Sequence, residues 1–290
     1  MRRWMAALAA TVTLAVATGC GNPAGVDGML TDDWPELPAA VGFVPEANVC
    51  HEYSGWVHRK ATDYQPIACT EKHLAETIQV GTFPATVTKY PDGGTEALRE
   101  AYTECDKASR DWLGGDWREA PLTLNVVPPS QNAWRGGARW FRCDLGRRNS
   151  IEDNGPRSGT ASLKDAMTNG AEQPYGCYEF DEDEDKATPV PCDRRHTAEF
   201  AGTFETNLSW EKLTADGGNE ATHRSCRTVI AKFAKVPDDA NVRYRSGSIY
   251  YYPSLDEWTM GSRTIRCLAW LPDGRTRSAR GGGTSALPIQ

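Results

Sequence analysis

One stretch that occurs twice constrains this chain more than anything else in it. Residues 129–143 carry Pro129, Ser130, Trp134, Gly137, Arg139, Arg142 and Cys143, and residues 253–267 carry Pro253, Ser254, Trp258, Gly261, Arg263, Arg266 and Cys267. Both read P-S-x3-W-x2-G-x-R-x2-R-C at a single offset. Identities held at one spacing imply an internal duplication, which fits one compact unit repeated in tandem.

The cysteines repeat the pattern. With Cys20 set aside, they fall as Cys50, Cys69, Cys105 and Cys143, then Cys177, Cys192, Cys226 and Cys267. An even count in an exported chain reads as a disulfide framework. Short-range closure favours Cys50–Cys69 and Cys177–Cys192. A helix packed on the final strand of each repeat favours Cys105–Cys143 and Cys226–Cys267.

Export is read from the N-terminus. Met1, Arg2 and Arg3 form a basic start, and Trp4 to Ala17 is an apolar run too short to span a bilayer comfortably. Ala17-Thr18-Gly19-Cys20 resembles a bacterial lipobox, with Ala17 where Leu is more usual. The expectation is a signal peptide over residues 1–19 and a diacylated Cys20, with the mature chain on the outer face of the cell membrane. Residues 20–45 are rich in Gly, Pro and Asp and read as a flexible tether. A net charge of −7 argues against nucleic-acid binding.

The periodic segments come in matching order. Residues 77–83 and 200–204 read as strands, 95–113 and 220–235 as helices, 122–127 and 248–252 as strands. The repeated Pro-Ser turn and a return strand follow. Leu98, Tyr102, Cys105 and Trp112 share a helix face, with Thr95 as the cap. The expected fold class is α+β, with two tandem homologous repeats at 46–146 and 173–272. Each is a helix on a small antiparallel sheet with two disulfides. Residues 147–172 read as a polar linker and 273–290 as a disordered tail.

A further pair of segments reads C-x3-H-x-A-E: Cys69 to Glu76 and Cys192 to Glu199. With the lipobox, the helical cysteine and the closing Trp/Gly/Arg/Cys segment, they resemble the septum formation family domain of actinobacterial lipoproteins and membrane proteins. The resemblance covers about residues 46–271, in two copies. It implies a compartment and a link to septum formation, and offers no established catalytic activity to carry over.

The candidate chemistry is sparse. His73 with Glu76 and His196 with Glu199 read first as local structure, a His N–H fixing the turn that enters a strand. Arg139 and Arg263 start the return strands, with Arg142 and Arg266 on the opposite face. One arginine of each copy could pair with the Glu of C-x3-H-x-A-E or hold an anion. Trp134 and Trp258 read as core anchors. Cys69/His73 and Cys192/His196 have zinc-like spacing, but exported thiols are usually oxidised. Asp181 to Asp185 read as a solvated acidic loop. Ser209-x2-Lys212 lacks the partners of a penicillin-binding signature. The reading is a non-enzymatic lipoprotein with no cofactor and no metal. It is anchored in the membrane through Cys20 and presents a surface to envelope or division proteins. The alternatives are a wall-acting enzyme using His, Glu and Arg, and a Cys/His metal-binding protein. The oligomeric state is left open.

Overall fold

The computed structural model describes residues 42–53, 62, 64–153, 155–215 and 220–290. The leader, Cys20 and most of the expected tether lie outside the described residues. Residues 42–290 form one compact unit.

Two antiparallel sheets make up this body. The first contains β1 (Val49–His51), β2 (Ala75–Thr82), β3 (Leu122–Val127), β4 (Trp140–Arg148) and the short β5 (Pro156–Arg157). Its order is β1-β2-β4-β3, with β5 on β4. The second contains β6 (Cys177–Asp181), β7 (Lys186–Val190), β8 (His196–Glu205), β9 (Gly247–Tyr251) and β10 (Thr264–Arg275), in the order β7-β6-β8-β10-β9. Apart from β5 and β7, the two orders are the same. Mixed helix and antiparallel sheet with four disulfides is an α+β fold.

Each sheet carries its helix on the face that bears the strand cysteine. Helix α1 (Glu96–Leu113) begins at Thr95, whose hydroxyl accepts from Leu98 N–H, and ends at Gly114 with φ 69°. That left-handed cap suits glycine. Leu98, Tyr102, Cys105 and Leu113 line its buried face. The counterpart helix over Glu220–Ala234 buries Cys226, Ile230 and Phe233. The bridges are Cys50–Cys69, Cys105–Cys143, Cys177–Cys192 and Cys226–Cys267, the pairing expected from the sequence.

The two Pro-Ser segments open short helices, α2 (Gln131–Arg135) and a later one over Leu255–Met260. Ser130 and Ser254 are their caps. Numbered in chain order, the helices of the second half are α3 (Trp210–Leu213), α4 (Glu220–Ala234), α5 (Leu255–Met260) and α6 (Gly283–Ala286). Ser209 of the S-x2-K segment is the cap of α3, accepting from Lys212 N–H.

Helix α5 joins the halves. Met260 is 1% exposed and belongs to the core that contains Leu98, Leu124 and Val126. Gly94 N–H donates to Thr259 C=O at 2.8 Å. A side chain at Gly261 would meet Tyr102 Cβ at 3.2 Å. The same joint buries charge. Glu257 lies 3.7 Å from Arg148, and both are nearly inaccessible. Burial first, and then the Arg266 guanidinium, lower the pKa of Arg148.

Two expectations are corrected here. Residues 147–172 are not a linker. Strand β4 runs on to Arg148, Leu163 and Ala166 sit in the first core, and Arg147 makes a buried ion pair with Glu172. Polar and glycine-rich composition concealed the few apolar residues that anchor this segment. Residues 273–290 are not a disordered tail. Strand β10 extends to Arg275, and Ala279 and Leu287 are buried beside Ile230 and Phe233. Of the tether, residues 42–45 lie against the body, where Phe43 C=O accepts from the Trp140 indole at 3.0 Å.

Candidate functional site

The twice-occurring His and Glu lead into the long strands β2 and β8. His73 Nδ1 bonds Glu71 C=O at 2.8 Å, and His196 Nδ1 bonds Arg194 C=O at 2.8 Å. Each ring therefore holds the turn just ahead of its strand. His73 is 2% exposed and His196 is fully buried.

The glutamates act on the chain that returns after the last strand of each half. Glu76 accepts from Ser162 Oγ and Leu163 N–H, both at 2.6 Å. Glu199 accepts from Ser278 Oγ at 2.7 Å and from Ala279 N–H at 2.9 Å. The returning backbone also pairs with the histidines, His73 with Gly159 and His196 with Arg275. The segments so clamped are Thr160-Ala161-Ser162-Leu163-Lys164 and Thr276-Arg277-Ser278-Ala279-Arg280. They share T-x-S-x-[K/R], a weak repeat visible in the sequence and overlooked because it lies in stretches read as linker and tail.

The two clamps differ on their histidine side. His196 Nε2 lies 3.0 Å from Glu199 Oε1, and Arg275 approaches the same oxygen at 3.6 Å. The buried His73 Nε2 has no hydrogen-bond partner among the described residues.

The arginines do not meet these glutamates, which corrects the suggested Arg–Glu pair. Arg139 donates to Trp134 C=O and Ala138 C=O, both at 2.8 Å, and stacks over the Trp134 ring at 3.9 Å. Arg263 does the same with Trp258 C=O and Ser262 C=O and stacks at 3.8 Å. Burial lowers the Arg263 pKa, with a smaller push from Arg99. The repeated W-x2-G-x-R is thus a fastener between helix end and strand start. Trp134 is buried as a core anchor, whereas Trp258 is half-buried against Trp210. Arg139→Ala should cost about 1–3 kcal/mol from the lost stack and charged hydrogen bonds. Thermal unfolding checks this, and an unchanged midpoint would contradict the fastener role.

Arg142 pairs with Asp144 at 2.9 Å on the other sheet face, and Thr77 Oγ1 donates to Asp144 at 2.7 Å while contacting His51 Nε2 at 2.8 Å. This fully buried chain was not legible in the sequence, because its members lie on three strands. Arg266 occupies the place of Arg142, but Leu268 stands where Asp144 does.

Metal ligation has two geometric candidates among the described residues: Cys50, Cys69 and Glu76, and Cys177, His196 and Glu199. Their cysteines are bridged. A disulfide sulfur is not the thiolate that zinc requires. The acids Asp181 to Asp185 form the exposed β6–β7 turn, where Asp181 Oδ1 accepts from Asp183 and Glu184 N–H.

Among the described residues, no helix is long and apolar enough to cross a membrane. No curated protein and no solved structure matches the chain. The family model described as Septum formation matches residues 48–267, one span that takes in both sheets. From Asn48 to Cys267 that span holds both C-x3-H-x-A-E clamps and both W-x2-G-x-R fasteners, and the chain belongs to the septum formation family.

Proposed function

We propose that this member of the septum formation family is a non-enzymatic lipoprotein on the outer face of the cell membrane. It consists of two tandem copies of one fold unit, tethered through Cys20, and presents a binding surface to envelope or division proteins. The observation that carries the non-enzymatic reading is the use made of His73, Glu76, His196 and Glu199. The two glutamates are 1% exposed and direct both carboxylate oxygens at hydroxyl and backbone N–H groups of the chain's own returning segments. A general base must reach its substrate, directly or through one water. These groups instead close the fold. The four disulfides support an oxidising compartment. The shared strand order supports the duplication.

The test is the intact mass of the protein taken from its native membrane, with and without reduction and alkylation. The expected result is a lipid-modified Cys20 and alkylation of the other cysteines only after reduction. An unmodified Cys20 would overturn the tether, and thiols that alkylate before reduction would restore the metal reading. The purified protein should leave wall material unchanged. Turnover that disappears in His73→Ala or His196→Ala would establish the enzyme reading in its place.

A further inference from the structure

On the second half, a groove of about 560 Å³ runs between β8 and the C-terminal part of α4. Its walls hold three cations, Lys232, Lys235 and Arg280, against one acid, Glu119. Among the described residues, no ion pair joins any of the three cations to a carboxylate. The whole chain carries −7, so this concentration of positive charge runs against its average. Like charges gathered in a cleft repel one another and attract a counter-anion.

The fold holds these groups in place. Lys235 caps α4 with φ 58°, a left-handed conformation uncommon for a side-chain-bearing residue. Arg280 follows Ala279, which is clamped by Glu199, and its guanidinium lies over the Phe233 ring at 4.8 Å. Gly281 N–H bonds Phe233 C=O at 2.9 Å. The cations therefore stand on a helix end and on a pinned loop.

The first half supplies an internal control. Cys143 pairs with Gln79, and Cys267 pairs with Gly202, so these residues occupy equivalent places. The Gln79 side chain crosses to Glu104 on α1 at 2.6 Å. Gly202 lines the groove with no side chain to cross to the helix, and a Cβ there would meet Val229 Cγ1 at 3.2 Å. Counting from the bridged helix cysteine, Asp111 corresponds to Lys232, Trp112 to Phe233 and Gly114 to Lys235. Lys164 lies over Trp112 at 5.4 Å, as Arg280 lies over Phe233. The stacked cation is thus common to both halves. Only the second half removes the bridging side chain, replaces the acid by a lysine and adds a second lysine.

We infer that this groove binds a phosphorylated saccharide or polyol. The phosphate sits among Lys232, Lys235 and Arg280, where charge-assisted hydrogen bonds are strongest. The volume far exceeds that of a bare phosphate ion. Thr203 and the Glu119 carboxylate offer partners to hydroxyls, Thr228 Oγ1, which donates to Asp238 at 3.3 Å, can still accept, and Phe233 and Val229 offer an apolar wall to the carbon skeleton. The inference stands on this groove alone, so its failure would leave the septal reading untouched.

The test is calorimetric titration of the full-length protein in detergent at low salt. The probes are glucose 1-phosphate and glycerol 3-phosphate, with inorganic phosphate and glucose as comparators. The expected result is binding of the organic phosphates that weakens as salt is added. Lys232→Asp, which restores the charge of the first half, should weaken it at least tenfold with an unchanged melting temperature. Arg280→Ala is a second, independent variant with the same expected loss. The inference is overturned if neither organic phosphate binds, if both variants bind as the parent does, or if inorganic phosphate or glucose binds as tightly.

Discussion

Glu199→Ala is expected to lower the stability of this protein by about 3–5 kcal/mol, the scale for removing one member of a buried charged cluster. Glu199 is 1% exposed and accepts from Ser278 Oγ and Ala279 N–H, with His196 Nε2 at 3.0 Å and Arg275 at 3.6 Å from its Oε1. Truncation leaves the buried Ala279 N–H without its acceptor and the His196 ring nitrogen without its partner. In a body of this size each kcal/mol moves the midpoint by about 2–4 °C, so the melting temperature should fall by roughly 6–20 °C. Glu199→Gln keeps one acceptor oxygen and should lose less. Limited proteolysis supplies a second readout, because the segment around Ser278 to Gly281 should become a cleavage site. A loss below about 1 kcal/mol would show that the tail is held by Ala279 and Leu287 packing alone. Glu76→Ala should cost less than Glu199→Ala, since Glu76 lacks the histidine bond and the nearby arginine.

The second large effect concerns the bridges between helix and central strand. Cys105–Cys143 and Cys226–Cys267 close separations of 38 and 41 residues, and all four cysteines are fully buried. The chain-entropy account assigns such loops about 4 kcal/mol each. The double substitution Cys226→Ala with Cys267→Ala should therefore lower the urea midpoint by an amount equivalent to about 4 kcal/mol. Cys177–Cys192 closes a separation of 15 and should be worth about 3 kcal/mol. Accessibility orders their reduction. Cys69 and Cys192 are half-buried, so mild reductant should open Cys50–Cys69 and Cys177–Cys192 before the helix bridges. Mass spectrometry after timed reduction and alkylation reads that order. Simultaneous loss of all four would contradict it.

Sequence alone was enough for much that local pattern governs, though the Pro-Ser segments read as turns are short capped helices. The helix face of Leu98, Tyr102 and Cys105 follows from 3.6-residue spacing, and Thr95 from its capping hydroxyl. The strands at 122–127 and 248–252 follow from β-branched and aromatic content. The bridges follow from that helix and the short reach of Cys50 to Cys69. The site histidines were legible as turn fasteners for the same reason, since their Nδ1 partners lie two residues away.

The rest depended on groups brought together from distant parts of the chain. Glu76 meets Ser162 and Glu199 meets Ser278 only because the backbone returns along the sheet, and neither hydrophobic period nor propensity encodes a return. A few buried residues, Leu163, Ala166, Ala279 and Leu287, hold segments that look like linker and tail by composition. Packing is decided by the residues that are buried, not by the average over their neighbours. The arginines show the same limit. Strand alternation separates Arg139 from Arg142, but whether a guanidinium takes a carboxylate, a carbonyl or a ring depends on what the fold sets within its reach. Arg139 and Arg263 find tryptophan rings and carbonyl oxygens, Arg142 finds Asp144, and Arg266, where Leu268 replaces that acid, lies buried beside Arg148 at the joint between the halves.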